Sequence, residues 1–207
     1  CQDKKAIDNI QQYKKISYCT GYNTMLDSLH FANRAELKIN YSKKDEKFAI
    51  VSLHRFETIS KKENLWQVTQ EIKKISKKIK LLFILHPPTR VSLIKNGLYK
   101  TLESEPGCVL LQRQNFFQFH SLLTHAEFII TDGGSNQEES YYLGVPCLLF
   151  RNETERSEGI GENVVISRFD STIIDNFVLN YNSYRKPTVS DTFSPSSFIV
   201  DQLKEYI

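Results

Sequence analysis

Four short polar sets in this chain of 207 residues combine cations, carboxylates and glycines in ways that suit phosphate and sugar chemistry. They are His54-Arg55-Phe56-Glu57, His86-Pro87-Pro88, Asp132-Gly133-Gly134-Ser135 and the run from Arg151 to Arg156. Gly133 and Gly134 have no Cβ, so backbone amides there can approach a phosphate closely, and either glycine can take positive φ. Ser135 suits the N-cap of a following helix, with Glu138 three positions on as its capping-box partner. That helix should end near Leu143, with Gly144 just past it and Pro146 beyond. A helix N-terminus approached through glycines is a ready anion site. The same pattern also serves as a tight strand-to-helix connection, and spacing alone does not choose between the two.

The neighbouring glutamates carry different expectations. Capping accounts for Glu138 and requires no ligand. Glu139 lies about a turn into the helix, where a carboxylate can accept two hydroxyl hydrogen bonds from a ribose whose phosphates rest on the glycines. A surface glutamate favoured by the helix dipole is the other reading. His54 and His86 either cap strand ends as structural histidines or touch phosphate or sugar; Arg55 and the glycine turn beside them favour contact. No third ligand at metal spacing accompanies them, so zinc is not expected. Phe116, Phe117 and Phe119 read as residues of which some belong to the core at helical spacing, and one can serve as a platform for a base. Arg151, Thr154, Glu155 and Arg156 form either a solvated charge run or an arginine pair beside a phosphate.

The elements that must position these groups are short apolar runs: 48–53 (FAIVSL), 81–85 (LLFIL), 108–111 (CVLL), 128–131 (FIIT), 147–150 (CLLF) and 164–167 (VVIS). Each is too short for a helix, and unbroken apolarity marks strands covered on both faces. Between the first two, Leu65, Val68, Ile72, Ile75 and Ile79 recur at helical spacing, with Lys73, Lys74, Lys77 and Lys78 on a solvated opposite face. A second helix is expected from about Phe116 to Thr124. A capped final helix is expected in FSPSSFIVDQLKEYI, after a loop containing Pro187 and Pro195. Such alternation predicts an α/β fold with a doubly wound parallel sheet. Ligands sit beyond the carboxyl ends of such strands. All four polar sets directly follow apolar runs, so they should converge on one edge.

Composition narrows the function classes. Hydrophobic residues make up 40% and charged residues 25%, as in ordinary globular chains. A net charge of +3 with scattered lysines argues against a nucleic-acid partner. The four cysteines (Cys1, Cys19, Cys108 and Cys147) show no CxxC spacing. Cys108 and Cys147, inside apolar runs, read as reduced buried thiols of a cytoplasmic protein. No apolar stretch is long enough to span a bilayer, and the 207 residues contain no signal-peptide pattern. The chain begins at Cys1 without a methionine, which suggests a segment of a longer protein.

Together these pieces resemble the C-terminal half of the non-hydrolysing UDP-N-acetylglucosamine 2-epimerases. That family has the two-domain GT-B architecture shared with many nucleotide-sugar glycosyltransferases. The resemblance runs through TGYNTMLDSL against TGN-T-x-x-D, LHRFE against HRRE, HPPTR against HPNP, TDGGSNQEE against TDSGGIQEE, and RNETERSE against R-x-x-TERPE. It implies a Rossmann-like UDP-binding domain over 20–190, preceded by the end of an N-terminal domain or linker over 1–19 and closed by a helix over 191–207. It further implies that Gly133, Gly134 and Ser135 contact the diphosphate, Glu139 the ribose and Phe119 the uracil, with Arg151 and Arg156 in the UDP site. His54 matches a histidine near the diphosphate and sugar, and is the one catalytic candidate here. Arg55 and His86 match positions that in some bacterial members help bind a second, activating UDP-sugar. The family reaction eliminates UDP to a 2-acetamidoglucal and re-adds it with C2 inverted, in surface-polysaccharide synthesis. Its proton-transfer carboxylates lie in the N-terminal domain. Two departures stand out: the family's Ser-Gly-Gly order is here Gly133-Gly134-Ser135, and Phe56 and Thr58 replace an arginine and an asparagine. The expected partners are a UDP-sugar and, for the full-length protein, a second copy. No cofactor, nucleic acid or membrane insertion is expected. A GT-B glycosyltransferase using a UDP-sugar donor is the alternative.

Overall fold

The computed structural model describes residues 1–2, 4–35, 46–190 and 192–204. Asp191 and residues 205–207 of the expected closing helix, and residues 36–45 of the expected 20–190 domain, lie outside the described residues. The chain divides into two compact units, Cys1–Glu36 with Ser190–Ile207, and Leu37–Val189.

All six apolar runs form strands of the Leu37–Val189 unit: β1 (Phe48–Ser52), β2 (Lys80–Leu85), β3 (Cys108–Gln112), β4 (Ile129–Thr131), β5 (Cys147–Leu149) and β6 (Val164–Ile166). They make one parallel sheet in the order β3-β2-β1-β4-β5-β6. The order reverses between β1 and β4, where Ser52 pairs with Thr131. That reversal leaves a crevice past the strand ends, the usual place for a ligand in such sheets.

Burial explains the runs. Every residue of β1 is buried, and Leu53, Phe128 and Phe150, just outside their strands, are buried too. The Lys62–Ser76 helix covers one face with Leu65, Val68, Ile72 and Ile75, while Ile79 packs half-buried beyond its end. Each fully buried side chain of this kind contributes about 1.5–3 kcal/mol relative to exposure. Of the solvated lysines, Lys73 pairs with Glu105 at 3.1 Å, and Lys74 and Lys78 meet Asp175 on the Ser171–Asn180 helix. Exposed pairs of this kind add little stability.

The second expected helix is present at Phe116–His125, started by a capping box in which Asn115 accepts from the Gln118 amide at 2.9 Å. Its buried residues are His120, Ser121, Leu122 and Leu123. None of Phe116, Phe117 and Phe119 is buried in the core, which corrects the expectation for them: the helix buries Leu122 and Leu123 and leaves Phe116 and Phe119 on the wall of the crevice.

In the other unit, the Met25–Arg34 helix lies with Pro195–Lys204, and Asp27 accepts a hydrogen bond from the Ser196 amide at 2.8 Å. Tyr18 and Phe193 pack around Phe198 with ring centroids 6.5 and 6.4 Å away.

Gly144 ends the Gly134–Leu143 helix in the left-handed region with φ +66°, as expected from the sequence. A Cβ there would collide with the Lys186 carbonyl, whose own amide bonds to Gly144 O at 3.0 Å. Gly161 also has positive φ but open space around it. Gly161→Ala is therefore expected to cost about 1 kcal/mol and Gly144→Ala more than twice that. Urea unfolding of both variants measures the difference.

Candidate functional site

The crevice at the reversal is a cleft of about 410 Å³ at the carboxyl ends of β1, β2, β3 and β4. Its floor is braced by Asp132, the residue after β4, which is fully buried. The Asp132 carboxylate accepts from the His54 amide at 3.0 and 3.2 Å and from the Arg55 amide at 3.0 Å. His54 Nδ1 lies 3.7 Å from the same group. One side chain thus fastens the turn after β1 to the turn after β4.

The Gly134–Leu143 helix begins at this turn with Gly133 as its N-cap. This corrects two local expectations. Ser135 lies inside the first turn rather than at the cap, and no side chain caps the helix. Glu138 is not a capping-box partner; it is almost wholly buried and ion-paired with Arg156. The cap preference is worth about 1 kcal/mol, and here packing of the turn outweighs it. Neither Gly133 nor Gly134 has positive φ. They are needed for space: a Cβ on Gly134 would lie 2.5 Å from Arg156 Nε, and one on Gly133 would lie 3.0 Å from His54 Cε1.

The first-turn amides and the cations around them make the cleft suited to an anion. Arg156 is held over Gly134 by its loop as well as by Glu138. Buried Gln137 donates to the carbonyls of Arg156 and Glu158 at 3.3 and 2.9 Å and accepts from Thr154 at 2.8 Å. Glu155 accepts from Arg55 at 3.0 Å and from Arg151 at 2.9 Å. A backbone N–H bond first, then Arg151 and Arg55, hold its carboxyl down at about 2. The His54 and His86 rings are 4.5 Å apart. Burial first, then the neighbouring His54 and Arg113, pushes His86 below its usual range. His86 N-caps the Pro87–Lys95 helix through its backbone without using its side chain, which faces the cleft.

Glu139 lines the cleft while only 8% exposed. Burial, with the neighbouring Glu138 charge adding to it, pushes its carboxyl up to about 7 against a hydrogen bond from Asn136.

Of the residues singled out from sequence, His54, Arg55, His86, Phe119, Gly133, Gly134, Ser135, Glu139 and Arg156 all line this cleft. Arg151 does not; its guanidinium is engaged by Glu155. The sequence reading passed over the turn after β3, where Arg113, Gln114 and Asn115 join the wall. The strand-end rule that located the other sets applies equally there. It also gave no role to Asp132, Thr131 or Asn136. Among the described residues, no group of three metal-ligating side chains is present, and no helix is long and apolar enough to cross a membrane.

Residues 6–190 match the family model described as UDP-N-acetylglucosamine 2-epimerase. A UDP-N-acetylglucosamine 2-epimerase homolog from Methanococcus maripaludis is 31% identical over 161 residues, covering 75% of this chain and 44% of the relative. A UDP-N-acetylglucosamine 2-epimerase of the same organism is 37% identical over 122 residues, covering 58% of this chain and 33% of the relative. The chain thus spans less than half the length of these curated relatives. The crystal structure of Methanocaldococcus jannaschii UDP-GlcNAc 2-epimerase in complex with UDP-GlcNAc and UDP matches with a TM-score of 0.82 at 25% identity. That match covers 99% of this chain and 60% of the other. The sheet is accordingly the Rossmann-like sheet of a GT-B fold.

The raised Glu139 carboxyl makes stability depend on pH. A folded value of about 7, above the ordinary carboxyl value of 4.5, means that the folded state holds this proton longer. Stability from this group is present below about pH 4.5 and is lost as pH rises through 7. Relative to Glu139→Gln, the unliganded wild type should lose on the order of 3 kcal/mol between pH 5 and pH 8. Urea titrations of both proteins across that range check it.

Proposed function

The chain belongs to the UDP-N-acetylglucosamine 2-epimerase family, and from that membership we propose that its cleft is the UDP-binding half of an enzyme interconverting UDP-GlcNAc and UDP-ManNAc. The observation that carries this reading is the joining, in one cleft, of an open helix N-terminus and a buried carboxylate one turn along the same helix. The first-turn amides receive the diphosphate, with His54 and Arg156 beside it. Glu139 accepts from the ribose hydroxyls, and Phe119 offers its half-buried face to the uracil. Arg55 and His86 sit where a second UDP-sugar, acting as activator, would meet the same cleft.

In the elimination, the C2 proton is removed, the C1–O bond breaks and its electron pair leaves on UDP. Re-addition of UDP to C1 and return of the proton to the other face of C2 complete the inversion. Negative charge grows on the departing diphosphate, so amides and cations already aimed there lower the barrier. His54 is the one proton-transfer candidate among these residues; the principal acid and base belong to the other half of the cleft. UDP binding belongs to the Leu37–Val189 unit, which contains the whole sheet. In full length the enzyme acts as a cytoplasmic homodimer in surface-polysaccharide synthesis. Cys108 and Cys147 are buried free thiols, as is usual in proteins of a reducing compartment.

UDP at about 100 times its Kd should stabilise this chain by about 2.7 kcal/mol, read as a rise in Tm. Glu139→Ala should remove most of that rise. Glu138→Ala should lower the baseline and also weaken the response, because it releases Arg156. Full-length enzyme given UDP-GlcNAc should form UDP-ManNAc without an acceptor; turnover only with an acceptor would establish a glycosyltransferase instead. Residues 1–207 alone should bind UDP without turning it over.

A further inference from the structure

Asn136 stands where the TDSGGIQEE motif has isoleucine, and Gly133 stands where that motif has serine. The two differences meet in space. A Cβ on Gly133 would lie 3.2 Å from Asn136 Oδ1 and 3.5 Å from Thr131 Oγ1, so the asparagine amide fills the space beside the glycine.

Hydrogen bonds fix how that amide is turned. The fully buried Thr131 hydroxyl accepts from the Gly133 amide at 3.0 Å and donates to Asn136 Oδ1 at 3.0 Å. With Oδ1 committed to Thr131, Asn136 presents Nδ2 to Glu139 Oε2 at 2.8 Å. A line of three hydrogen bonds therefore runs from the turn backbone, through two side chains, to the carboxylate in the cleft. Isoleucine could neither accept from Thr131 nor donate to Glu139.

We propose that Asn136 is a positioning residue whose bond to the Glu139 carboxylate keeps that group turned toward the hydroxyl pair of a bound ribose. The proposal rests on the UDP reading of the cleft. An amide donor bonded to a carboxylate favours its charged form. The other charged or titratable groups facing this region come from every neighbouring turn. His54 and Arg55 follow β1, His86 follows β2, Arg113 follows β3, and Arg156 reaches over from the loop after β5. Glu138, on the same helix, works against ionisation of Glu139, and Arg156 is its ion-pair partner. Asn136 is the group bonded directly to Glu139 that acts in favour of the charged form.

The test uses wild type, Asn136→Ile, Asn136→Ala and Glu139→Gln, each checked for folding by circular dichroism. Carboxyl carbon NMR follows the Glu139 titration without ligand, and calorimetry follows UDP binding from pH 6 to pH 9. The expected result is a Glu139 midpoint moved to higher pH in both Asn136 variants. UDP binding should then weaken about three- to tenfold at pH 7 and recover most of the loss by pH 9. Glu139→Gln should bind weakly at every pH. An unmoved midpoint in the Asn136 variants overturns the proposal. So does a loss of binding that is equal at all pH values, the mark of a packing role alone. If wild type does not bind UDP, the ribose assignment falls with the UDP reading. The carboxyl titration then decides separately whether Asn136 is bonded to the Glu139 carboxylate.

Discussion

The arrangement at the top of the sheet depends on the buried carboxylate of Asp132. It bonds to the amides of His54 and Arg55, residues 78 and 77 positions away in the chain. A parallel sheet whose order reverses between β1 and β4 leaves the turns after those strands without a shared ladder. Asp132 supplies the missing connection, and in doing so places His54 over Gly133. A carboxylate with no exposed surface is costly unless its acceptors are filled, and the His54 and Arg55 amides fill them here. The brace and the shape of the cleft are therefore one interaction.

The cations around the glycine turn are likewise placed by carboxylates. Glu138 draws Arg156 over Gly134, while Glu155 ties Arg55 and Arg151 together. Held this way, arginine side chains lose little further freedom when an anion arrives. The two pairings differ in depth. Glu138 is buried under its helix, whereas the Glu155 side chain is 55% exposed and its bridge is open to solvent and salt. Arg156 is thus the fixed member of the wall and Arg55 the more adjustable one.

Local signals reached some features and not others. The six strands were legible because burial on both faces writes each as an unbroken apolar run, and Gly144 because a helix ending in the left-handed region favours glycine there. The start of the same helix was misjudged. Ser135 and Glu138 satisfy the capping-box spacing, yet Gly133 is the cap, because Thr131 takes the Gly133 amide and the turn packs against His54. Helical spacing alone does not tell which of the phenylalanines after β3 face the core. The burial of Leu122 and Leu123 shows which side of that helix faces inward.

The amino-acid sequence by itself determined the strands, the places where they stop and the residue types gathered after them, since hydrophobic pattern and turn chemistry act over a few residues. It also carried, through its motifs, the membership in a nucleotide-sugar epimerase family. The folded arrangement is what pairs Glu138 with Arg156, joins two turns through Asp132, and links Thr131 to Glu139 through Asn136. The two long-range pairings depend on which loops the β1-β4-β5 order brings side by side. The short-range one depends on which way a helix turns its first residues into the space that Gly133 leaves open.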